Sequence, residues 1–114
     1  MWAEPIKFRR ADAPTRRPVC VTVRGEAREG VEDEFEGLLK DLAFSINADE
    51  PGCTSYVVTR QMGSHRHFVV HARFKSWRAF QVHGETAHFT RMLPRLTALM
   101  AAPAMSMTSL AERV

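Results

Sequence analysis

Two histidines, His83 and His88, are the residues of this 114-residue chain best suited to chemistry. They lie in the stretch 74–93, which begins where a strand-like run ends and which carries several aromatic side chains. An imidazole with an ordinary pKa of about 6.5 is largely neutral at pH 7, so it can take a proton from a bound small molecule. Histidines beside an aromatic wall therefore predict a small-molecule pocket with a general base.

The helix that carries the two histidines determines which of them faces this pocket. Ser76 is suited to cap a short helix that runs to His83, Gly84 interrupts it, and a second helix carries His88. On one continuous helix, residues five apart point about 140° away from each other. We therefore expect only one histidine to face the pocket, unless the break at Gly84 redirects the other, and we favour His83. For either histidine alone, a capping or surface role explains its presence equally well.

Other side chains are candidates for binding the substrate. Tyr56, Arg60 and Arg24 could stabilise an anion or a peroxide, although an ion pair at a strand edge explains Arg24 better. Aromatic residues could line the pocket, and the same spacings are also typical of an ordinary core. These are Phe44, Phe68, Phe74, Trp77, Phe80 and Phe89.

Metal binding and nucleophilic catalysis have little support in the sequence. His65, His67 and His71 share one side of a predicted strand, but His71 lies about 13 Å beyond His67 at the usual rise per residue. No carboxylate or thiolate with ligand spacing accompanies them, so we predict no metal site. Neither Cys20 nor Cys53 lies in an activating setting. We expect both thiols to be reduced and the protein to be cytoplasmic.

Length and composition indicate one soluble domain. The chain is 45% hydrophobic and 25% charged, and it has neither an apolar run of about 20 residues nor the apolar core of a secretory signal. We therefore expect no membrane association.

The net charge of +3 is located in the first 18 residues, which hold five basic and two acidic side chains. The rest of the chain is neutral overall, so we expect no nucleic-acid partner. The prolines among residues 1–18 argue against a helix there. We therefore predict that 1–18 form a solvated arm and that 19–114 form the folded domain. Alternatively, Trp2, Ile6 and Phe8 pin this arm against a partner subunit.

The periodicity of apolar residues predicts four strands and intervening helices. Alternation indicates strands, and apolar spacing of three and four residues after Gly30 indicates a helix with an acidic first turn. Gly37 inside this helix indicates close packing or a pocket wall. The predicted segments are strand 19–25, helix 31–46, strand 53–62, strand 66–74, the broken helix 77–100 and strand 104–111. This order is the β-α-β-β-α-β ferredoxin-like plait of the α+β class, with a four-stranded antiparallel sheet.

The second and third strands have apolar residues on both faces, with Val57 and Val69 on the face away from the helices. That face needs a cover, and in so short a chain a second copy is the simplest one. We therefore predict a homodimer that forms through the sheet faces.

Several stretches of the chain together resemble one known family. They are Gly30 before the acidic helix start, Glu50-Pro51-Gly52-Cys53 followed by Tyr56, and the run Phe74, Ala79-Phe80, His83 and His88-Phe89. In order and spacing, residues 19–110 resemble the antibiotic biosynthesis monooxygenases, relatives with a dimeric α/β barrel. The resemblance implies a pocket between sheet and helices in each subunit. It also implies oxygenation of a polyketide- or quinol-like hydroxyaromatic with dioxygen and without metal, flavin or haem.

Two departures from the family pattern affect this prediction. Relatives often have Glu-x-Trp at the end of the third strand, where this chain has Ala72 and Phe74. The haem-degrading branch has a ligand histidine in the second helix, where this chain has Leu93, so haem degradation is not expected. Two alternatives remain open: a non-oxidative isomerase, cyclase or decarboxylase on the same scaffold, and a non-catalytic dimer that binds a small aromatic ligand.

Overall fold

A computed structural model describes residues 16–101 and 107–114. The predicted arm therefore lies outside the described residues except for positions 16–18. The described chain forms β1 (Val19–Glu26), α1 (Glu32–Asp49), β2 (Cys53–Arg60), β3 (His67–Phe74), α2 (Trp77–His83), α3 (Ala87–Ala98) and β4 (Met107–Glu112). The predicted strand 104–111 is confirmed from Met107 onward, and its first residues lie outside the described part of the chain.

The four strands form one antiparallel sheet in the order β2-β3-β1-β4. β1 therefore lies between β3 and β4, as the ferredoxin-like plait requires, and the predicted fold is confirmed. The predicted second helix is divided into α2 and α3. None of the helices in the described ranges has the length and apolar character that crossing a membrane would require.

The core lies between α1 and one face of the sheet. Phe35 and Phe68 meet edge to face, with their ring centroids 5.2 Å apart. The predicted periodicity of α1 is confirmed, because its buried side chains are Phe35, Leu38, Leu39, Leu42 and Ile46. In β3 the predicted alternation is also confirmed, with Phe68, Val70, Ala72 and Phe74 buried.

Close packing occurs at Gly52 and not at Gly37. A Cβ atom built on Gly37 would have nothing within 4 Å, so the interpretation of this glycine as a close contact is wrong. A Cβ atom on Gly52 would lie 2.7 Å from the Cβ of Ala79, which is closer than two carbon atoms can pack. Gly52 therefore allows α2 to lie directly against the turn that follows α1.

The face of the sheet away from the helices is open in the single chain. Val57 is 49% exposed there, and the Thr59 hydroxyl lies 3.2 Å from Nε2 of His71 on the neighbouring strand. This face combines apolar and hydrogen-bonding side chains, and the described residues of the chain do not cover it.

Candidate active site

The turn after α1 places a carboxylate inside the protein. The backbone N–H of Glu50 donates to the carbonyl of Ile46 at 3.0 Å, which completes the last turn of α1. The carbonyl of Glu50 accepts from the N–H of Cys53 at 3.0 Å and so holds the chain as it enters β2. Between these bonds the side chain of Glu50 is only 8% exposed.

Two caps position the histidines opposite this carboxylate. Ser76 accepts a hydrogen bond from the N–H of Ala79 at 3.1 Å, which confirms it as the N-cap of α2. After Gly84, the Thr86 hydroxyl donates to the carbonyl of His83 at 2.9 Å and caps α3. Thr86 thus joins the end of one helix to the start of the next and fixes the angle between them.

Glu50 lies between the two imidazoles. Nδ1 of His83 is 3.0 Å from Oε1 and 3.2 Å from Oε2 of the carboxylate. Nε2 of His88 forms a hydrogen bond with Oε2. The side chains of His83 and His88 are 9% and 15% exposed. We call these three residues the Glu50 cluster.

The expectation that only one histidine faces inward is wrong. It gave more weight to the divergence of residues five apart on a continuous helix than to a redirection at the break at Gly84. The chain turns at Gly84 instead, so His83 ends α2 and His88 lies in the first turn of α3. The change of direction brings both rings to the same carboxylate.

The hydrogen bonds of the Glu50 cluster determine which nitrogen of His83 is available. A carboxylate only accepts hydrogen bonds, so the Nδ1 atom of His83 must carry a proton and donate it. In the neutral ring Nε2 then keeps its lone pair and can act as a base. Asp and Glu orient catalytic imidazoles in this way in hydrolases.

Burial keeps His83 neutral. It lowers the pKa of His83 below its ordinary value, because the imidazolium loses its hydration. The charge and hydrogen bond of Glu50 act in the opposite direction, and a positive charge on His88 lowers the pKa again. The result is a neutral, oriented base at pH 7.

Aromatic rings surround His83. The ring centroids of Phe89, Phe74 and Tyr56 lie 4.6, 5.2 and 6.1 Å from that of His83. Phe80 packs against Phe74 at 5.5 Å. These apolar rings exclude water from the base.

Phe80 also contacts the outermost ring of this wall. Trp77 lies 5.6 Å from it between ring centroids, and both side chains are half-buried. The wall therefore extends from the buried His83 toward the surface.

Tyr56 supplies a polar group to this wall. Burial raises the pKa of its phenol, and Cys53 and Glu50 raise it further, so the hydroxyl stays protonated. Its backbone carbonyl accepts from the side chain of Asn47 at 3.2 Å. Among the described residues, no side chain or backbone group forms a hydrogen bond with the hydroxyl itself. Its donor is therefore not used within the described part of the chain.

The structure places the predicted site residues in two separate groups. The first group surrounds the Glu50 cluster and contains Tyr56, Phe74, Trp77, Phe80 and Phe89. Phe68 pairs with Arg60 near the opposite end of β3, six residues from Phe74, or about 20 Å along the strand.

Arg60 forms ion pairs with two carboxylates of α1. Its guanidinium lies 2.6 Å from the carboxylate of Glu36 and 3.7 Å from that of Asp33, and it stacks over Phe68 at 5.0 Å. Phe44, another candidate for the pocket wall, is 76% exposed on α1. Neither residue contributes to the surroundings of His83.

The histidines of the β2–β3 turn and of β3 each have their own neighbours. His65 contacts Glu32 at 3.0 Å, His67 contacts Glu26 at 3.6 Å, and His71 contacts Thr59. Within the described ranges, no three His, Cys, Asp or Glu side chains are grouped so that they could hold a metal ion.

Comparison of the sequence with models of known protein families gives a match over most of the described chain. The family model of the antibiotic biosynthesis monooxygenases matches residues 18–95. The chain belongs to this family. No curated protein matches the chain in sequence.

Several solved structures have the same fold as this chain. A protein from Caulobacter crescentus CB15, assigned as an antibiotic biosynthesis monooxygenase, is 24% identical, with a TM-score of 0.81 over 100% of this chain and 99% of its own. A Nitrosomonas europaea protein with the same assignment is 16% identical, with a TM-score of 0.80 over 88% and 93% of the two chains. SnoaB, a cofactor-independent oxygenase from Streptomyces nogalater, is 22% identical, with a TM-score of 0.73 over 85% and 93%.

Glu50 is the functional candidate that the sequence alone did not supply. It appeared there only within the stretch Glu50-Pro51-Gly52-Cys53 that carried the family resemblance. The signal that could have identified it is chemical, because two histidines in an apolar stretch need a hydrogen-bond acceptor. Glu50, at the end of the first predicted helix, was one of several carboxylates that could have been that acceptor.

Proposed function

We propose that this protein is a cofactor-independent monooxygenase that oxidises a polyketide- or quinol-like hydroxyaromatic with dioxygen. The observation that carries the proposal is the hydrogen bond from His83 to the buried Glu50 within a wall of aromatic rings. It supplies an oriented base in surroundings that suit an aromatic substrate. SnoaB, whose fold is similar, is a cofactor-independent oxygenase, which agrees with this assignment.

The first step is removal of a proton from the substrate. Nε2 of His83 takes the proton of the phenol, and Glu50 stabilises the imidazolium that forms. The Tyr56 hydroxyl donates a hydrogen bond to the phenolate oxygen, and the aromatic wall excludes water. The phenolate is a far better electron donor than the phenol.

The remaining steps need only the substrate and dioxygen. The phenolate gives one electron to dioxygen, and the resulting radical and superoxide combine at a ring carbon that bears hydrogen. Protonation gives a hydroperoxide, which loses that hydrogen and its outer oxygen as water and leaves a carbonyl. One oxygen atom thus enters the product as a quinone oxygen and the other leaves as water. The substrate supplies the two electrons that reduce this second oxygen atom to water.

The variant His83→Ala tests the role of the base. With 1,8-dihydroxyanthrone as the probe, we expect turnover to fall by about 10²–10⁴-fold, the usual contribution of a general base. The control is His65→Ala, which removes an exposed histidine of the β2–β3 turn, away from the Glu50 cluster and from the open sheet face, and should leave turnover unchanged. Equal turnover by the wild type and the His83→Ala variant would contradict the proposal.

The predicted dimer belongs to the same proposal. The open sheet face exposes Val57, and in a ferredoxin-like chain of this size a second copy would cover it. Pairing through this face leaves the helices, and with them the Glu50 cluster, on the outside of each sheet. Each subunit would then contain a complete site.

A further inference from the structure

Two polar atoms in the wall around His83 have no partner within the described part of the chain. Nδ1 of His83 is bound to Glu50, but no described group forms a hydrogen bond with its Nε2. The same holds for the hydroxyl of Tyr56, whose ring centroid lies 6.1 Å from that of His83. His83 and Tyr56 are only 7% and 9% exposed. Buried polar groups normally have a partner, so this pair leaves two hydrogen-bonding positions for a bound molecule.

The pair consists of one acceptor and one donor. Glu50 holds the proton of His83 on Nδ1, which leaves Nε2 of the neutral ring as the acceptor. Burial raises the pKa of Tyr56, and Cys53 and Glu50 raise it further, so its hydroxyl keeps its proton and acts as a hydrogen-bond donor. A base beside such a donor suits a ligand that loses one proton while negative charge develops on an oxygen atom.

The interconversion of an enol and its ketone has these requirements. The enolate between the two forms carries its charge on the oxygen and on a carbon, so it needs a base and a donor to the oxygen. The rings of Phe74 and Phe89 flank His83 and favour an apolar ligand. Glu50 already places a carboxylate in this buried cluster, which favours an uncharged one. Polycyclic hydroxyaromatics such as 9-anthrol are apolar, uncharged enols of this kind.

We propose that this site has a second activity, the conversion of polycyclic hydroxyaromatics to their keto tautomers without dioxygen. Nε2 of His83 takes the hydroxyl proton of the enol, and the Tyr56 hydroxyl donates a hydrogen bond to the enolate oxygen. The imidazolium then gives this proton to the ring carbon that carries the negative charge, which forms the ketone. One proton moves from oxygen to carbon, and no electron is transferred. The substrate, His83 and Glu50 together keep the same net charge throughout.

This activity and the proposed oxygenation share their first proton transfer and differ in what happens to the enolate. With dioxygen present the enolate gives up an electron, whereas under argon it can only be protonated again, on oxygen or on carbon. The inference therefore rests on the proposed function for the base, His83, and not for the reaction with dioxygen.

Stopped-flow absorbance under argon tests the activity directly. The probe is 9-anthrol, formed by mixing its anion in dilute alkali with buffered protein, and its conversion to anthrone removes the long-wavelength absorption of the enol. We expect the wild type to accelerate this conversion over the uncatalysed rate, and His83→Gln to lower the acceleration by about 10²–10⁴-fold. His65→Gln, in the β2–β3 turn, should match the wild type. No acceleration by the wild type, or equal acceleration by His83→Gln, would overturn the proposal.

Tyr56→Phe tests the donor and separates catalysis from a structural role. Removing a buried hydroxyl that has no partner should leave the melting temperature unchanged or raise it. The same variant should lower the maximal rate of ketone formation by about 10²–10³-fold, the usual effect of losing one donor to a developing oxyanion, with a smaller change in KM. Wild-type speed in this variant would overturn the role of Tyr56. A lower melting temperature together with a lower rate would show that the hydroxyl stabilises the fold instead.

The same probe separates this inference from the proposed function. In air, oxygenation of 9-anthrol gives anthraquinone, which is distinguished from anthrone by its mass. Accelerated ketone formation under argon without enzymatic oxygenation in air would reject the proposed function and support the second activity. Oxygenation in air without accelerated ketone formation under argon would reject the second activity alone.

Discussion

At the scale of single residues, the chemistry of His83 depends on Glu50, which lies 33 positions earlier in the chain. The carboxylate fixes which nitrogen of the ring carries a proton, and burial keeps the ring neutral. Removing one partner of this buried hydrogen bond would leave the other group unsatisfied, which costs about 1–3 kcal/mol of stability and more when that group is charged. Isosteric changes such as Glu50→Gln are therefore better probes than truncations.

The pKa of His83 predicts how stability depends on pH. The unfolded chain takes up this proton near pH 6.5, whereas the folded chain does so only at lower pH. Between these two values the unfolded state binds more protons, so the free energy of unfolding should decrease as the pH falls below about 6.5. Denaturant titrations from pH 5 to pH 8 would measure this slope.

The control variants assign this slope to one ring. His83→Gln should make the free energy of unfolding less sensitive to pH, and His71→Gln should keep the wild-type slope. A His83→Gln variant with the full wild-type slope would show that another group causes the pH dependence.

The sequence identified part of this site because histidine is the side chain whose ordinary pKa lies close to neutrality. It led to His83, His88 and the aromatic rings around them. It did not lead to Glu50 as their partner, since a carboxylate before Pro51-Gly52 reads as a turn residue. Arg60 was a reasonable anion binder on its strand, but the distant Glu36 of α1 pairs with it.

At the scale of elements, two glycines and a threonine arrange the helices around the site. Gly52 brings α2 against the turn that holds Glu50. Gly84 ends α2, and Thr86 contacts the carbonyl of His83 while capping α3. The site therefore depends on how α2 and α3 are connected as much as on its own side chains.

Gly37→Ala and Gly52→Ala should have opposite effects on stability. Gly37 lies within α1 with free space around it, so alanine should raise the free energy of unfolding by about 0.5–1 kcal/mol through helix propensity. At Gly52 the added methyl group would collide with Ala79, and overpacking of this kind costs about 1–3 kcal/mol. Thermal or denaturant unfolding measures both.

Gly52→Ala should also reduce turnover, because the displaced α2 carries His83, whereas Gly37→Ala should not. If Gly52→Ala were as stable and as active as the wild type, the close packing of α2 would not be needed for the site.

Element order was predictable because strand and helix periodicities differ clearly in this chain. Val19 and Val21 alternate with polar residues, and α1 has apolar positions every three or four residues. The relative direction of α2 and α3 was not predictable, since it depends on one turn at Gly84. For the same reason, Gly37 and Gly52 could not be distinguished without knowledge of their neighbours.

At the scale of the whole molecule, the two sides of the sheet have different roles. The helix side contains the core and the Glu50 cluster. The open side exposes Val57 and carries His71, which has a polar neighbour in Thr59. A protein that uses this second side to pair with its own copy would keep both sites accessible.

Sedimentation at micromolar concentration tests this pairing. We expect a mass of about twice 12.9 kDa for the wild type. Val57→Lys would place a charge on the open face and should shift the protein toward the monomer. Phe44→Lys, on the exposed side of α1, should leave the dimer intact. A monomeric wild type would contradict the prediction that the protein dimerises through the open face.

The central claim, oxygenation without a cofactor, is tested most directly with isotopically labelled dioxygen. Purified protein is incubated with 1,8-dihydroxyanthrone under ¹⁸O₂ in the presence of a chelator, and the mass of the product is measured by mass spectrometry. The amount of product formed in the same time without protein is subtracted. We predict one labelled oxygen atom per product molecule and one dioxygen consumed per turnover. Equal conversion of the probe under argon, or saturable binding of the probe with no conversion in either atmosphere, would contradict the claim.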